Sequence, residues 1–453
     1  MKKWLISSIW FIFGIIGLFS ISHFIGTGSM IPVIVVSLFL FLRYQEKIAK
    51  KKKYNYLDLG LLLVIIITAA KFIVGYPVFS VYYIPVAALS ILCTILFNNI
   101  TLSLVLTLIG ALSAGIIAGL NLNLACILLV GGVFASFMVL NVRRRSQIIK
   151  AGIAAGILQG MCVVLIQSPN LDGITKFIIP NLLSGLLAGV VITGVLPVFE
   201  YLFNVITNIT LLELSDFNHP LFRKMVLEAP GTYHHSLIVG NLSETAAESI
   251  GANSLLARIG AYYHDIGKIE KAEYFIENQP PENATSTHEQ LKPSISKMVI
   301  MNHVREGVEL ARKYRLNDSI IDFINQHHGT SLVFYFYLRA LENTNTEKEV
   351  EEEGFRYSGP RPQTKETAIV LLADSVEGAT RALRDRTPKK IDELVRKVIN
   401  NKFIDGQLDE CDLTLFDLEK IASVFIKILS AVYHARITYP EKNSGNNHNK
   451  STK

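Results

Sequence analysis

The chain has 453 residues, half of them hydrophobic, with a mean hydropathy of +0.36 and a formal net charge of +6. This composition is too apolar for one soluble domain and predicts membrane spans joined to something else. Residues 1–200 carry 14 Lys/Arg and four acidic residues, which leaves 30 and 34 for residues 201–453. Basic loops on one side of a membrane account for the positive charge, so no nucleic-acid polymer is needed as a partner.

Apolar segments in residues 1–203 are long enough to cross a lipid bilayer and predict a bundle of about eight spans. They cover residues 4–22, 26–43, 57–75, 78–97, 100–120, 122–142, 149–167 and 177–200. The loops rich in Lys and Arg fall on one side of the threaded spans, which predicts that both termini face the cytoplasm. The first span has the basic start of a signal peptide, but no Ala-x-Ala cleavage site follows it, so we interpret it as a span.

Charged side chains are rare inside these spans. Lys71 and Asp58 lie near span ends, where we expect them to reach the membrane interface. The absence of a series of intramembrane carboxylates argues against an ion or proton path. The four cysteines form no CxxC pair, so the sequence indicates neither a disulfide scaffold nor a thiolate metal site.

The rest of the chain predicts an all-helical domain at residues 231–440, joined to the bundle by a linker at residues 204–230. Residues 201–213 are expected to continue the last span as a helix, and residues 441–453 to form a disordered tail. Apolar residues at three- and four-residue spacing predict helices at 220–228, 234–250, 253–265, 293–314, 317–328, 331–343, 364–384, 389–402 and 414–437. The predicted fold class is therefore all-α, a polytopic membrane bundle followed by a helical cytoplasmic domain.

The dipeptide His264-Asp265, with Lys268 close behind, carries the most direct chemical signal. In a helix, His264 and Lys268 would stand four residues apart and Asp265 three residues from Lys268, so all three side chains could face one point. An imidazole and a carboxylate can hold a metal ion, and an ammonium group can meet a phosphate oxygen. The dipeptide is a weak signal until other ligands join it.

Other candidate ligands lie upstream and downstream of this dipeptide. His235 and His303 stand in predicted helices, and His327-His328 end one before a glycine. Each histidine alone is more often a satisfied core or surface residue than a ligand. Asp374 stands in an otherwise apolar helical face, where a buried carboxylate is costly unless it is paired or metal-bound.

Taken together, the motifs Thr232–Ser236, His264-Asp265, Asn302–Val304, His327–Thr330 and Ala373-Asp374 resemble, in this order, those of HD-domain metal phosphohydrolases. Three further segments, Ala229–Ser236, Tyr274–Gln279 and Phe355–Pro360, are similar to the seven-transmembrane HD family of PgpH-type cyclic di-AMP phosphodiesterases. The resemblance covers about residues 30–440. Members of that family usually carry a large extracytoplasmic domain after the first span, where this chain has only the short loop Ser22–Ser29.

The resemblance implies a site for two divalent metal ions. One ion would be held by His235, His264, Asp265 and Asp374, and the other by Asp265, as a bridge, with His303, His327 and His328. This nitrogen-rich set with open positions suits Fe or Mn, whereas Zn prefers four ligands. Two such ions can generate hydroxide at neutral pH and stabilise the attacking and leaving oxygens. Lys268 would neutralise the charge that develops on the phosphoryl group.

The sequence indicates the residues that contact the substrate less clearly than the metal ligands. His234 is adjacent to His235 but points about 100° away on a helix, so we expect it beside the metal ligands or against the substrate. Arg305 and Arg381 are each candidates for a phosphate contact and equally well solvated helix residues. The aromatic cluster Phe334–Tyr337 could stack on adenine, although such clusters are more often core packing.

With the complete ligand set, the resemblance implies a membrane phosphodiesterase that hydrolyses cyclic di-AMP to the linear dinucleotide pApA and so ends a second-messenger signal. One rival is an HD phosphohydrolase of cyclic di-GMP or of a mononucleotide. The Gly-Tyr-Pro motif expected of the cyclic di-GMP relatives is absent after His328. Another rival is a membrane receptor that binds nucleotide without turnover, which would need an incomplete ligand set. A homodimer is compatible with the sequence.

Overall fold

The computed structural model describes residues 56–167, 171–279, 291–342 and 350–433. Within these ranges the chain is helical, and the predicted all-α fold class is confirmed. The chain divides into two compact units between Asp216 and Phe217, a point inside the predicted linker. The predicted spans at 4–22 and 26–43 and the predicted tail at 441–453 lie outside the described residues.

The first unit consists of apolar helices joined by short turns. They are α1 (Tyr56–Gly75), α2 (Val86–Phe97), α3 (Ile100–Ile117), α4 (Leu122–Met138), α5 (Arg145–Gln167), α6 (Leu171–Phe203) and the short α7 (Asn208–Leu214). Among the described residues, four helices are long and apolar enough to cross a membrane: Leu57–Gly75, Ile100–Ile117, Arg145–Ile166 and Thr175–Phe203. Two shorter apolar segments, Val81–Phe97 and Leu122–Met138, accompany them.

The segment predicted as a continuous span at 78–97 is interrupted. A single 3₁₀ turn, Val81–Tyr83, precedes Pro85, and α2 begins only at Val86. Proline has no backbone N–H and biases the residue before it toward extended conformations, so the helix starts after it. The predicted span is therefore wrong at its beginning, whereas its end at Phe97 agrees with the structure.

Small polar and small apolar side chains hold the helices of the first unit close together. Ser90 of α2 and Thr107 of α3 share a hydrogen bond of 2.7 Å, and Thr94 and Ser103 share one of 2.6 Å. All four are buried. A Cβ added at Gly152 of α5 would overlap the backbone of α6. Close backbone approach and interhelical hydroxyl bonds are the usual means of helix association in a membrane.

The prediction that residues 201–213 continue the last span is wrong. Helix α6 ends at Phe203, Asn204 adopts a left-handed conformation with φ of 49°, and α7 begins at Asn208. The buried carboxylate of Glu200 accepts hydrogen bonds from the Thr207 N–H (3.2 Å) and the Thr210 hydroxyl (2.8 Å). This carboxylate binds the start of α7 and stabilises the break.

The second unit begins at Phe217 and is also built from helices. They are α8 (Pro220–Glu228), α9 (Pro230–Ser249), α10 (Ser254–Tyr263), α11 (Pro293–Lys313), α12 (Asp318–Gln326), α13 (Phe334–Glu342), α14 (Lys365–Ala382), α15 (Pro388–Ile404) and α16 (Leu415–Val432). In the described part of this unit, the 3₁₀ helices Ile266–Tyr274, Ile276–Asn278 and Glu352–Phe355 lie between them. Each of the α-helices lies close to its predicted range.

Helix α14 is the centre of the second unit. The run Ala368–Ala373 is fully buried, and α14 packs against α9, α15 and α16. Its start is fixed by a capping box in which Thr364 and Thr367 exchange side-chain and backbone hydrogen bonds. Such a buried, capped helix is a rigid support for any polar side chain that it carries, including Asp374.

Candidate metal centre

The His264-Asp265 dipeptide stands where a helix ends. Helix α10 finishes at Tyr263, His264 keeps helical angles, and Asp265 turns the chain with φ of −110° and ψ of 15°. A 3₁₀ helix then begins at Ile266. The continuous helix predicted through residue 265 is therefore too long. Lys268 nevertheless reaches Asp265, with its Nζ 2.7 Å from Oδ2.

Glycine lets this turn approach helix α11. A Cβ added at Gly267 would overlap the carbonyl oxygen of His303, and Gly307 lies against the same turn. Only glycine permits this backbone contact. As a result Asp265 and His303, which are far apart in the sequence, come within 3.4 Å of each other at their Oδ1 and Nε2 atoms.

The remaining candidate ligands come from three more helices. His235 is buried on α9, and Asp374 projects from α14. His327 follows the last residue of α12, and His328 comes next, before Gly329 with its positive φ of 56°. The sharp turn at Gly329 ends the helix so that both imidazoles point to the same side.

Seven predicted metal ligands converge in two sets that share Asp265. His235, His264, Asp265 and Asp374 form the first set, and Asp265, His303, His327 and His328 form the second. Within each set the ligand atoms lie within 4.8 Å of one another. Asp265 directs Oδ2 toward His264 Nε2 (3.2 Å) and Oδ1 toward His327 Nε2 (3.5 Å). One oxygen for each set is the geometry that a bridging carboxylate requires.

Hydrogen bonds at Nδ1, on the side away from the ligand cluster, orient the imidazole rings. His264, His303 and His327 each place Nδ1 against a backbone carbonyl, those of Ala261, Ile300 and Ile324. A carbonyl oxygen only accepts, so Nδ1 carries the proton and Nε2 is left with its lone pair toward the centre. His235 instead places Nδ1 at 2.6 Å from Glu377 Oε2. Outer hydrogen bonds of this kind fix the tautomer of metal-binding histidines.

Several buried atoms of this cluster have no oriented hydrogen bond. They are His264 Nε2 and both carboxylate oxygens of Asp265, although the Lys268 ammonium group is close to one of these oxygens. Buried polar atoms are normally satisfied, and an unsatisfied one needs an explanation. Because the unsatisfied atoms are metal-ligand types at the meeting point of five imidazoles and two carboxylates, the donor set fits divalent cations.

Burial and neighbouring charges set the protonation states. Burial lowers the pKa of His303 to about 3, so its imidazole is neutral. Burial opposes the charge on Asp265, but His264 and Lys268 outweigh it and hold the pKa of this carboxyl well below its ordinary value. Neutral imidazoles and ionised carboxylates are the forms that bind metal.

His235 differs from the other histidines. Burial disfavours its cation, but hydrogen bonds to Asp374 and Glu377 prevail and raise the pKa of His235 to about 10. Its Nε2 atom lies 3.1 Å from Asp374 Oδ1 and 3.6 Å from Asp265 Oδ2.

Lys268 is held between two carboxylates. Its Nζ lies 2.7 Å from Asp265 Oδ2 and 2.9 Å from Glu277 Oε1, and 5.0 Å from the centre of the Phe275 ring. Burial opposes the charge, but the two carboxylates outweigh it and keep the pKa of Lys268 above its ordinary value. The ammonium group is thus a fixed positive charge beside the metal ligands.

A cavity of about 600 Å³ opens beside His328, one member of the second ligand set. Its lining includes His328, Tyr357, Met298, Met301 and Arg305. The Tyr357 ring stacks on His328 with centroids 4.3 Å apart. An antiparallel bridge between Leu332 and Arg356 brings Tyr357 to this place. The volume suits a small-molecule ligand.

The predicted substrate contacts lie around this cluster at different places. His234 is exposed and contacts the ring of Tyr233. Arg305 is at the cavity wall and forms an ion pair with Glu309 at 3.5 Å. Arg381 is held by Glu377 on the outer side of His235. Their roles in substrate binding stay predictions.

The aromatic cluster Phe334–Tyr337 divides between core and surface. Phe336 is buried and Tyr337 packs edge-on against Phe355, whereas Phe334 and Tyr335 are exposed. None of the four lines the cavity beside His328. Core packing therefore accounts for Phe336 and Tyr337 but not for Phe334 and Tyr335.

Glu277, Tyr357 and Glu377 are not among the site residues predicted from the sequence. Glu277 and Tyr357 stand in two motifs that carried the family resemblance, Tyr274–Gln279 and Phe355–Pro360. Glu377 follows Asp374 by three residues on the same helix, which places both carboxylates on one face. That spacing was a signal for Glu377.

Two sequence profiles match the chain. The profile described as a seven-transmembrane receptor with intracellular HD hydrolase matches residues 21–207, and the HD-domain profile matches residues 232–379. The first match begins at residue 21, near the end of the first predicted span at 4–22, and it includes the other seven predicted spans. It ends before the second unit, and the second match contains all seven predicted metal ligands.

The chain is similar to two bacterial proteins named cyclic-di-AMP phosphodiesterase PgpH. Identity to that of Bacillus subtilis is 37% over 430 residues, which are 92% of this chain and 60% of the relative. Identity to that of Listeria monocytogenes is 40% over 319 residues, which are 69% of this chain and 44% of the relative. The chain thus spans about half of these relatives' length.

Among solved structures, the chain is similar to the HD domain of Listeria monocytogenes phosphodiesterase PgpH in complex with cyclic di-AMP. Identity is 46%, the TM-score is 0.45, and the match covers 49% of this chain and all of that domain.

Proposed function

Because this chain belongs to the family of seven-transmembrane receptors with an intracellular HD hydrolase, we propose that it is a membrane-bound phosphodiesterase that hydrolyses cyclic di-AMP. One phosphodiester is cleaved between phosphorus and the 3′-oxygen, and water adds to give linear pApA. The observation that carries this proposal is the convergence of two ligand sets on Asp265 next to a cavity of nucleotide size. The names of the similar proteins support the choice of substrate.

The site would hold two divalent ions, Fe or Mn, one in each ligand set. Bound there, they would supply Lewis-acid activation of water and stabilisation of the attacking and leaving oxygens. Asp265 would hold both, since one of its oxygens faces each set. The nitrogen-rich donor set supports Fe or Mn over Zn.

The protein's own side chains would position the substrate and balance its charge. Lys268, fixed between Asp265 and Glu277, presents a positive charge to the phosphoryl group during cleavage. Burial raises the pKa of Tyr357, so its phenol stays protonated and can donate a hydrogen bond to a phosphate or sugar oxygen. Arg305 at the cavity wall would contact the second phosphate.

Residues 1–203 would anchor the enzyme in the lipid bilayer, with both termini and the HD domain in the cytoplasm. The distribution of Lys and Arg among the loops supports this orientation. A cytoplasmic HD domain is also what hydrolysis of an intracellular second messenger requires.

The test is product analysis with the purified full chain in detergent. Cyclic di-AMP, cyclic di-GMP and mononucleotides are each supplied with Fe²⁺, Mn²⁺ or Zn²⁺. We expect pApA from cyclic di-AMP with Fe or Mn and little turnover of the others. Preferred turnover of cyclic di-GMP or a mononucleotide would replace the proposed substrate, and nucleotide binding without any product would favour a receptor.

The control is the double variant His264→Ala with Asp265→Ala, which removes ligands of both sets. We expect its hydrolysis at background level, lower than wild type by more than about 10³-fold, while the protein still inserts and folds. Hydrolysis retained by this variant would disprove the proposed site.

A further inference from the structure

Among the described residues, Glu377 is the one buried carboxylate outside the two ligand sets that forms a hydrogen bond with a predicted metal-binding histidine. Its side chain is 0% exposed, and its Oε2 lies 2.6 Å from His235 Nδ1. Arg381 holds both oxygens of this carboxylate, with Nη2 at 2.6 and 2.7 Å. A buried charge needs such a partner, because an unpaired charge is costly to remove from water.

The acceptor behind His235 differs in kind from those behind the other oriented histidines. His264, His303 and His327 donate Nδ1–H to neutral backbone carbonyls, whereas His235 faces an ionised carboxylate. An anionic acceptor forms the stronger hydrogen bond and makes the opposite nitrogen a better metal ligand. Arg381 offsets most of the longer-range field of Glu377, so the effect is transmitted through the hydrogen bond.

The two ligand sets also differ in their carboxylates. The set that contains His235 has Asp374 in addition to the shared Asp265, whereas the set that contains His303 has the shared carboxylate alone with three imidazoles. Lys268 lies on the Oδ2 side of Asp265, and its positive charge would weaken cation binding in the His235 set. Glu277, 2.9 Å from the Lys268 ammonium group, neutralises that charge. Hard divalent cations favour the set with more carboxylate oxygens.

We propose that Glu377 is a positioning residue for His235, and that the ion in the His235 set therefore binds first and more tightly than the ion in the His303 set. This rests on the two-ion site of the proposed function. The two ions then bind one after the other. The second ion, in the His303 set, exchanges more readily, and it lies on the side where the cavity opens beside His328.

The experiment is a titration of the metal-stripped full chain in detergent with Mn²⁺, followed by electron paramagnetic resonance. This readout distinguishes free ions, single bound ions and coupled pairs without any assay of activity. For wild type we expect single bound ions at the first equivalent and coupled pairs only at the second, with dissociation constants at least about 10-fold apart. Coupled pairs from the first additions onward would overturn the proposal.

The deciding variant is Glu377→Gln, which keeps the size of the side chain and removes its charge. We expect the tighter dissociation constant to rise about 10–100-fold and the weaker one to stay the same. An unchanged tight constant, or an equal loss at both sets, would overturn the proposal. The matched control is Glu306→Gln, which stands three residues after His303 as Glu377 does after Asp374 and pairs with Lys271 instead of a ligand. It should change neither constant.

Two ligand variants assign the constants even if Glu377→Gln does not fold. His303→Ala should keep the tight constant and lose the weak one, and His264→Ala should do the opposite. The reverse assignment would overturn the proposal. If wild type hydrolyses cyclic di-AMP and binds two ions of equal affinity, only this inference fails, whereas a wild type that binds no pair of ions refutes the proposed function as well.

Discussion

Buried polar groups are treated differently in the two units of this protein. In the membrane unit, the hydroxyls of Ser90, Thr94, Ser103 and Thr107 bond to one another and to backbone carbonyls. In the second unit, imidazole and carboxylate atoms converge, and those of His264 and Asp265 are left without oriented hydrogen bonds.

A binding site can be distinguished from polar packing by the type of the buried atoms that lack partners. Ser113 and Asn181 of the membrane unit also have a buried oxygen without a partner, but neither is an imidazole or a carboxylate. Hydroxyl pairs that satisfy each other hold helices together, and nothing more is needed to explain them. Several unsatisfied metal-ligand atoms at one point call for a ligand. Substitutions in the two units should accordingly affect different properties.

The largest effect is expected from Lys268→Met. Loss of a fixed charge beside the reacting phosphoryl group should lower kcat about 10²–10³-fold, while two ions per chain are still bound because lysine is not a ligand. Steady-state kinetics and metal analysis measure the two quantities. Lys271→Met, which removes a partner of Glu306 at the surface, is the control and should keep its activity. A loss of metal from Lys268→Met equal to its loss of activity would contradict the assigned role.

Gly267→Ala should affect stability and metal binding together. The new methyl group would overlap the His303 carbonyl, and backbone cannot move aside as a side chain can, so we expect a loss of about 3 kcal/mol. Thermal unfolding measures it. The control is Gly378→Ala in α14, where an added Cβ meets nothing within 4 Å. That change should stabilise by about 0.5–1 kcal/mol, and equal destabilisation by both changes would refute the packing argument.

A titratable contact in the second unit should make its stability depend on pH. Burial opposes the charge of Asp417, but hydrogen bonds from the Thr414 N–H and from Lys365 outweigh it and lower the pKa of Asp417 below its ordinary value of 3.8. The stabilisation is thus present above the ordinary pKa and is lost as the pH falls through the lower pKa of the folded protein.

Asp417→Asn should therefore cost about 1 kcal/mol at neutral pH and progressively less in acid. Denaturant unfolding at pH 7 and at acidic pH checks this. A cost that is independent of pH would show that the side chain acts as a hydrogen-bond acceptor without regard to its charge.

The smallest effect is expected from Thr107→Val in the membrane unit. Valine keeps the shape and loses the hydrogen bonds to Ser90 and to the Ser103 carbonyl, which should cost about 0.6 kcal/mol. Activity should not change, since no ligand contacts this hydroxyl pair. Unfolding in mixed detergent and a hydrolysis assay are the measurements, with Thr101→Val on an exposed face of α3 as control. A strong loss of activity would mean that the hydroxyl pairs do more than pack helices.

Much of the molecule was predictable because its signals are chemical and local. Apolar runs identify membrane helices, spacing at three and four residues identifies the helices of the second unit, and few residue types can bind metal ions. The continuous helix predicted at 201–213 was wrong, because Asn204 adopts a left-handed conformation and Glu200 stabilises the turn that follows. The helix predicted through Asp265 was too long, because α10 ends at Tyr263 and Gly267 permits a backbone contact with α11 in the next turn.

Composition, periodicity and ordered motifs were enough to predict the all-helical fold, the family and the residue types of the candidate metal centre. The packing of the helices was needed to show that Asp265 turns one oxygen to each ligand set, that Glu377 faces His235, and that Tyr357 covers His328. These relations depend on how α9, α11, α12 and α14 cross, which is fixed by packing of their whole apolar faces. No local pattern of residues encodes the direction in which a buried carboxylate points.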